Sequence, residues 1–237
     1  MAATDPSSDT LPPEMSVADE LEREALRLNR RYVVEVVENY SLCPWAERAR
    51  REGRVTERVF LQGISELHER SLEAIQELSE RKEIEIGLFI YPLANLGRLD
   101  FEHFARVLRA EDQAQHEVGE VPFAIAAFHP DAQPVLSSAE RLIPFLRRTP
   151  DPTLQLVRTT TLERTRGVDE GTSFLDVELV SPFALKAPAR PTVRERVAEA
   201  NLATVERCGA AELERVFEDI KRDRDETYAR LLGQSAC

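Results

Sequence analysis

Apolar residues recur every three or four positions from Val17 through Leu21, Ala25, Leu28, Tyr32 and Val36 to Tyr40, with Glu and Arg filling most of the positions between them. That spacing puts them on one face of a long helix, which Ser16 is placed to start. Beyond it, short apolar runs alternate with amphipathic stretches. They predict a strand near 55–61, a helix near 66–81, an Ile- and Phe-rich strand at 83–91, a helix capped by Asp100, and a strand at 121–128. The last of these is apolar at nearly every position, as a strand covered on both faces is, and it is read as central. A Pro-containing loop and a short strand at 153–158 come next. Thr160 and Glu163 then form a capping-box pattern for a helix that Gly167 would end.

A further strand is expected at 173–180. Pro182, Pro188 and Pro191 interrupt the chain before two helices, about 192–207 and 210–232, divided near Gly209. The order of elements predicts an α/β fold: a mixed or parallel central sheet of about four to five strands flanked by helices, with a helical C-terminal segment. Residues 1–15 carry little to bury and are expected to be a disordered leader, with an α/β core over 16–181. Residues 182–237 are expected to form a Pro-containing linker and C-terminal helices packed on that core.

Composition narrows the partners. Of 237 residues, 42% are hydrophobic and 31% charged, as in a folded protein with a solvated surface. The formal charge of −12 disfavours nucleic acid and anionic membrane, which reward clustered cations. There is neither a secretory-type leader nor a run of about 20 apolar residues, so a cytoplasmic protein is expected. Cys43, Cys208 and Cys237 are widely spaced with no CxxC pair, which implies reduced thiols. Arg147, Arg148, Arg158, Arg164 and Arg166 gather in one stretch, either as a solvated surface or as an anion site.

Three places could carry chemistry. In Cys43-Pro44-Trp45, the proline suits the first turn of a helix ending at Gly53, and Cys43 suits its N-cap, where the positive end of the helix favours thiolate. Such a thiol could be a nucleophile, a redox centre or a metal ligand, or simply a small buried side chain. In Phe128-His129-Pro130-Asp131, His129 emerges at the C-terminal end of a strand, where α/β sheets commonly bind ligands, and Asp131 could orient it. The alternative is a structural histidine bonded within its loop. Arg148, in a rigid turn, and Arg158, closing the following strand, could each clamp a carboxylate or phosphate, or pair with one of the chain's own carboxylates. P-loop, GxGxxG, GxSxG, EF-hand and clustered metal-ligand patterns are missing.

Taken together, Asn39-Tyr40-Ser41-Leu42-Cys43-Pro44-Trp45, Phe128-His129-Pro130-Asp131 and the run from Arg148 to Arg158 resemble a bacterial family known as domain of unknown function fourteen-fifteen. The likeness covers about 32–166 and resumes at 201–209. It implies that Cys43, His129, Arg148 and Arg158 belong to one site. The chain departs from the family pattern at Ala132, where an aromatic residue is usual, and at Gln155, where a histidine is usual.

The function expected on these grounds is a small-molecule enzyme using Cys43 and His129, with Asp131 orienting the imidazole and Arg148 or Arg158 holding an anionic substrate. It requires thiol and imidazole to lie within hydrogen-bond reach or to be joined by one water or ligand. Two alternatives stand beside it: a haem- or metal-binding sensor using Cys43 or His129, and a non-catalytic interaction module. The cofactor and the oligomeric state are left open.

Overall fold

The computed structural model describes residues 15–43, 46–117, 120–132, 138–169 and 193–234. The strand expected at 173–180 and the leader up to residue 14 lie outside them. Ser16 caps α1 (Val17–Arg31) through a capping box in which Ser16 Oγ accepts from the Asp19 N–H at 3.2 Å and the Asp19 carboxylate accepts from the Ser16 N–H. The chain continues as a π-helical segment, Tyr32–Glu38, with i→i−5 bonds such as Asn39 N–H to Val34 O. The sequence spacing explains it. Leu28, Tyr32, Val36 and Tyr40 are separated by three successive intervals of four, wider than the turn of about 3.6 residues, so wider turns keep that face on the core.

After α2 (Ala46–Arg51), Gly53 takes φ +69°. Its N–H bonds to Arg50 O while that of Arg54 reaches Ala49 O, the glycine stop that the sequence predicts. Then come β1 (Val55–Val59), α3 (Ile64–Glu80), β2 (Ile86–Ile90), α4 (Arg98–Ala114), β3 (Phe123–Phe128), α5 (Ala139–Leu146), β4 (Thr153–Arg158), α6 (Thr159–Asp169), α7 (Val193–Cys208) and α8 (Ala210–Gln234). The four strands form a mixed sheet of order β1-β2-β4-β3, with β1 and β2 parallel and β4 antiparallel to both its neighbours.

Alternation along the strands divides the core in two. Phe89, Tyr91, Phe123, Ile125, Leu154 and Leu156 face α3 and α4 with Leu67, Ile75, Phe101 and Leu108. On the other face, Phe128 packs with Tyr32, Val36, Leu142, Phe145, Leu213 and Phe217 from the π-helical segment, α5 and α8.

Several expectations are corrected. Among the described residues the apolar run at 121–128 is the edge strand β3, not a central one; much of its apolarity is alanine, and Ala124 is exposed. The inner strands of the described sheet are β2 and β4, and every residue of β2 is buried. The Pro-containing loop holds α5, capped by the Ser138 hydroxyl, because burial of Leu142, Phe145 and Leu146 outweighs the cost of Pro144 inside it. Helix α4 starts before Asp100, with Gly97 as cap and Asp100 in its first turn. Helix α6 starts at Thr159 and runs past Gly167.

Candidate functional site

On the sheet face beneath α1, the strand register aligns Glu57, Leu88, Gln155 and Ala126 in one cross-strand row. A carboxylate and an amide thus flank a leucine on a covered face, two strand spacings or roughly 9–10 Å apart. The next row toward the strand ends is Val59, Ile90, Thr153 and Phe128, of which Thr153 and Phe128 extend this floor.

Above it lies a cavity of about 220 Å³, roofed by Asn29, Arg30, Tyr32, Val33 and Val37 and closed at one side by Cys43 and Ala46. The roof comes from the end of α1 and the π-helical segment, a kind of helical irregularity frequent at functional sites. Two residues before Cys43, Ser41 holds a left-handed conformation, φ 53°, where a helix end usually places glycine. Cys43 is therefore delivered to the cavity by a tight, mildly strained turn.

The cavity's polar groups differ in how far the protein already satisfies them. Glu57 Oε1 accepts from Asn29 Nδ2 at 2.7 Å. Arg50 makes a bidentate pair with Glu38 at 2.7 and 2.8 Å, which holds the Glu38 carboxyl below the usual carboxylate range. The Tyr32 hydroxyl donates to Leu146 O at 2.7 Å. Burial pushes its pKa up, opposed by Arg147 and reinforced by Cys43, so it stays a donor at neutral pH. Thr149 and Thr153, also in the lining, both donate to Asp151 O. By contrast, the Gln155 amide has no hydrogen-bond partner among the described residues. Sequence reasoning marked Gln155 only as a departure from the family pattern; here it sits in the same cavity as Cys43.

His129 lies elsewhere. Its Nδ1 accepts from the Asp131 N–H at 3.1 Å, so Nε2 carries the proton and donates to Leu96 O at 2.9 Å. The ring is 5% exposed and packs beside Phe101, on the α3/α4 side of the sheet. Cys43 lines the cavity on the opposite face. The expected thiol–imidazole pairing does not form, because residues 128 and 129 point to opposite faces of the sheet. The Asp131 carboxylate is 3.9 Å from Nδ1, a nitrogen that has no proton to give it. Ligation of a metal through His129 would first have to break one of the two bonds that hold the ring.

The two arginines are also engaged. Arg148 bonds Glu214 at 2.6 Å, Glu218 at 2.8 Å and Pro130 O, and lies over the rings of Phe145 and Phe217. It fastens α8 to the core. Arg158 is 7% exposed and donates to Ile84 O, Leu78 O and Arg81 O, closing the C-terminus of α3 while lying over Phe123. Burial lowers its pKa. Neither arginine reaches the cavity.

Residues that sequence reasoning passed over are Asn29, Arg30 and Glu57 in the cavity, and Asp151 outside it. Alternation with Val55 marks Glu57 as facing inward, a legible signal. Asp151 is 1% exposed and accepts from Arg224 at 2.9 Å and from the Tyr228 hydroxyl at 2.7 Å, a link to α8 that nothing local announces.

Among the described residues, no group of three His, Cys, Asp or Glu could hold a metal ion, and no helix is long and apolar enough to cross a membrane. In comparisons with known proteins, the sequence model of the family described as "Protein of unknown function (DUF1415)" matches residues 24–172, a span that contains every residue of the cavity. No curated protein and no solved structure matches the chain.

Proposed function

We propose, from the premise that this chain belongs to the DUF1415 family, that it binds a small molecule in the cavity between α1 and the sheet and acts on it through Cys43. The observation that carries this reading is the placement of a thiol and of an amide, Gln155, that has no partner among the described residues, in one partly open cavity with a largely apolar floor. Gln155 is half-buried, and an amide left open to a cavity is a group that a ligand can complete. At about 220 Å³ the cavity is smaller than those that hold drug-sized molecules, so the ligand is of metabolite size. Cys43 is the nucleophile in this account, and His129, Asp131, Arg148 and Arg158 hold the framework around the site.

Ligand-observed NMR with a library of small polar fragments tests the reading. Fragments should bind the wild-type chain and be lost when Cys43 is alkylated with iodoacetamide or when Gln155→Trp fills the cavity. Binding that survives both changes would place the ligand site elsewhere.

A further inference from the structure

Three ionised side chains line the cavity, and they are not equally committed. Arg50 is neutralised by its bidentate pair with Glu38. Among the described residues, Arg30 forms no ion pair, and neither does Glu57, whose one bond is from the neutral Asn29 amide. The two are not paired with each other, although both border the same space of about 220 Å³. Arg30 is exposed and Glu57 half-buried, and a cavity bordered by a cation open to solvent and by an anion in its wall is complementary to a molecule carrying the opposite pair of charges. Beside Glu57 the floor is apolar, with Leu88 in the same row and Ile86 and Phe128 also in the lining, as are Val33 and Val37 from the roof.

We propose that the ligand is a small zwitterion of the apolar amino-acid class. Its carboxylate lies toward Arg30, its ammonium toward Glu57, and its hydrocarbon side chain over Leu88. The size agrees, since a free amino acid fits where a drug-sized molecule does not. This rests on the reading of the cavity as a ligand site and adds the ligand's chemical class.

The test is titration calorimetry on the full chain with four matched probes: leucine, 3-methylbutylamine, 4-methylpentanoate and the uncharged 4-methylpentanamide. Leucine should bind at least about ten-fold more tightly than any of the other three, a difference of about 1.4 kcal/mol. Arg30→Gln should remove its advantage over the amine, and Glu57→Gln its advantage over the acid, while circular dichroism shows both variants folded. Equal affinity for leucine and the uncharged amide overturns the zwitterion. If that amide binding is also lost on alkylation of Cys43, the cavity remains a ligand site and only the ligand class is wrong. Failure of all four probes to bind at up to about 10 mM overturns the ligand class as well.

Discussion

Replacing Asp151 by Asn tests whether the turn before β4 fastens α8 to the core. The carboxylate is 1% exposed and receives one bond from Arg224 Nε and another from the Tyr228 hydroxyl, at 2.9 and 2.7 Å. Burial raises the Tyr228 pKa, so its hydroxyl is a donor throughout the neutral range. An Asn side chain offers one acceptor and one donor to two donors, so one bond is lost and an N–H group opposes the other partner. Removing one member of a buried charged pair costs about 3–5 kcal/mol. Arg224 remains 27% exposed and also bonds Asp225, so the lower figure of about 3 kcal/mol is expected. In a chain of this size that lowers the melting temperature by roughly 6–12 °C. Urea unfolding followed by circular dichroism measures it. A double-mutant cycle with Arg224→Met should show coupling of about 2 kcal/mol, because the double variant leaves no unpaired charge. A loss below about 1 kcal/mol, or strict additivity, would show that Asp151 does not fasten α8 to the core.

Acid should undo a second fastening of α8. Asp223 bonds Arg27 and Arg31, and Asp219 bonds Arg31; these bonds hold both carboxyls below the usual range. Because the folded chain depresses both pKa values, their contribution is present above the ordinary carboxylate pKa near 4 and is lost as pH falls below it. The urea midpoint should therefore drop between pH 6 and pH 3, with a shallower drop in an Arg27→Ala, Arg31→Ala variant. Gly87→Ala should cost about 1–3 kcal/mol in the same urea assay, since a Cβ there would lie 2.6 Å from Leu78 Cδ2 in the α3/α4 layer. Arg158→Met strips three carbonyls of their donor and should lower stability by about 3 kcal/mol, without altering ligand binding in the cavity.

Much of the fold is legible in the sequence because its signals are local. Ser16 and Asp19, the apolar spacing of α1, Gly53 and Gly209 all act within a few residues, and β4 falls at the residues its pattern marks. Strand order is not a local property. The run 121–128 reads as central because alanines look buried whatever covers them, and only its pairing, which among the described residues is with β4 alone, makes it an edge. The site was half legible for the same reason. Cys43 was visible from its own neighbours, whereas its companions Glu57 and Gln155 belong to different strands and meet only through the register. His129 stands directly after a cavity residue, Phe128, and a single step of alternation sends its side chain to the other face, where Leu96 and Asp131 hold it. Family motifs that lie near one another in the chain therefore serve different layers of the molecule.

If Cys43 and His129 serve opposite faces of the sheet, the rate at which iodoacetamide alkylates Cys43 is independent of the imidazole. Mass spectrometry of the Cys43 peptide would follow that rate in the wild type and in two variants. Removing the imidazole in His129→Gln should leave the rate within about two-fold, while stability falls by about 1–3 kcal/mol from the lost loop bonds. Filling the cavity in Gln155→Trp should slow it at least about ten-fold, a barrier increase of about 1.4 kcal/mol. A ten-fold slowing in His129→Gln with the wild-type rate in Gln155→Trp would show instead that the thiol is served by the histidine rather than by the cavity.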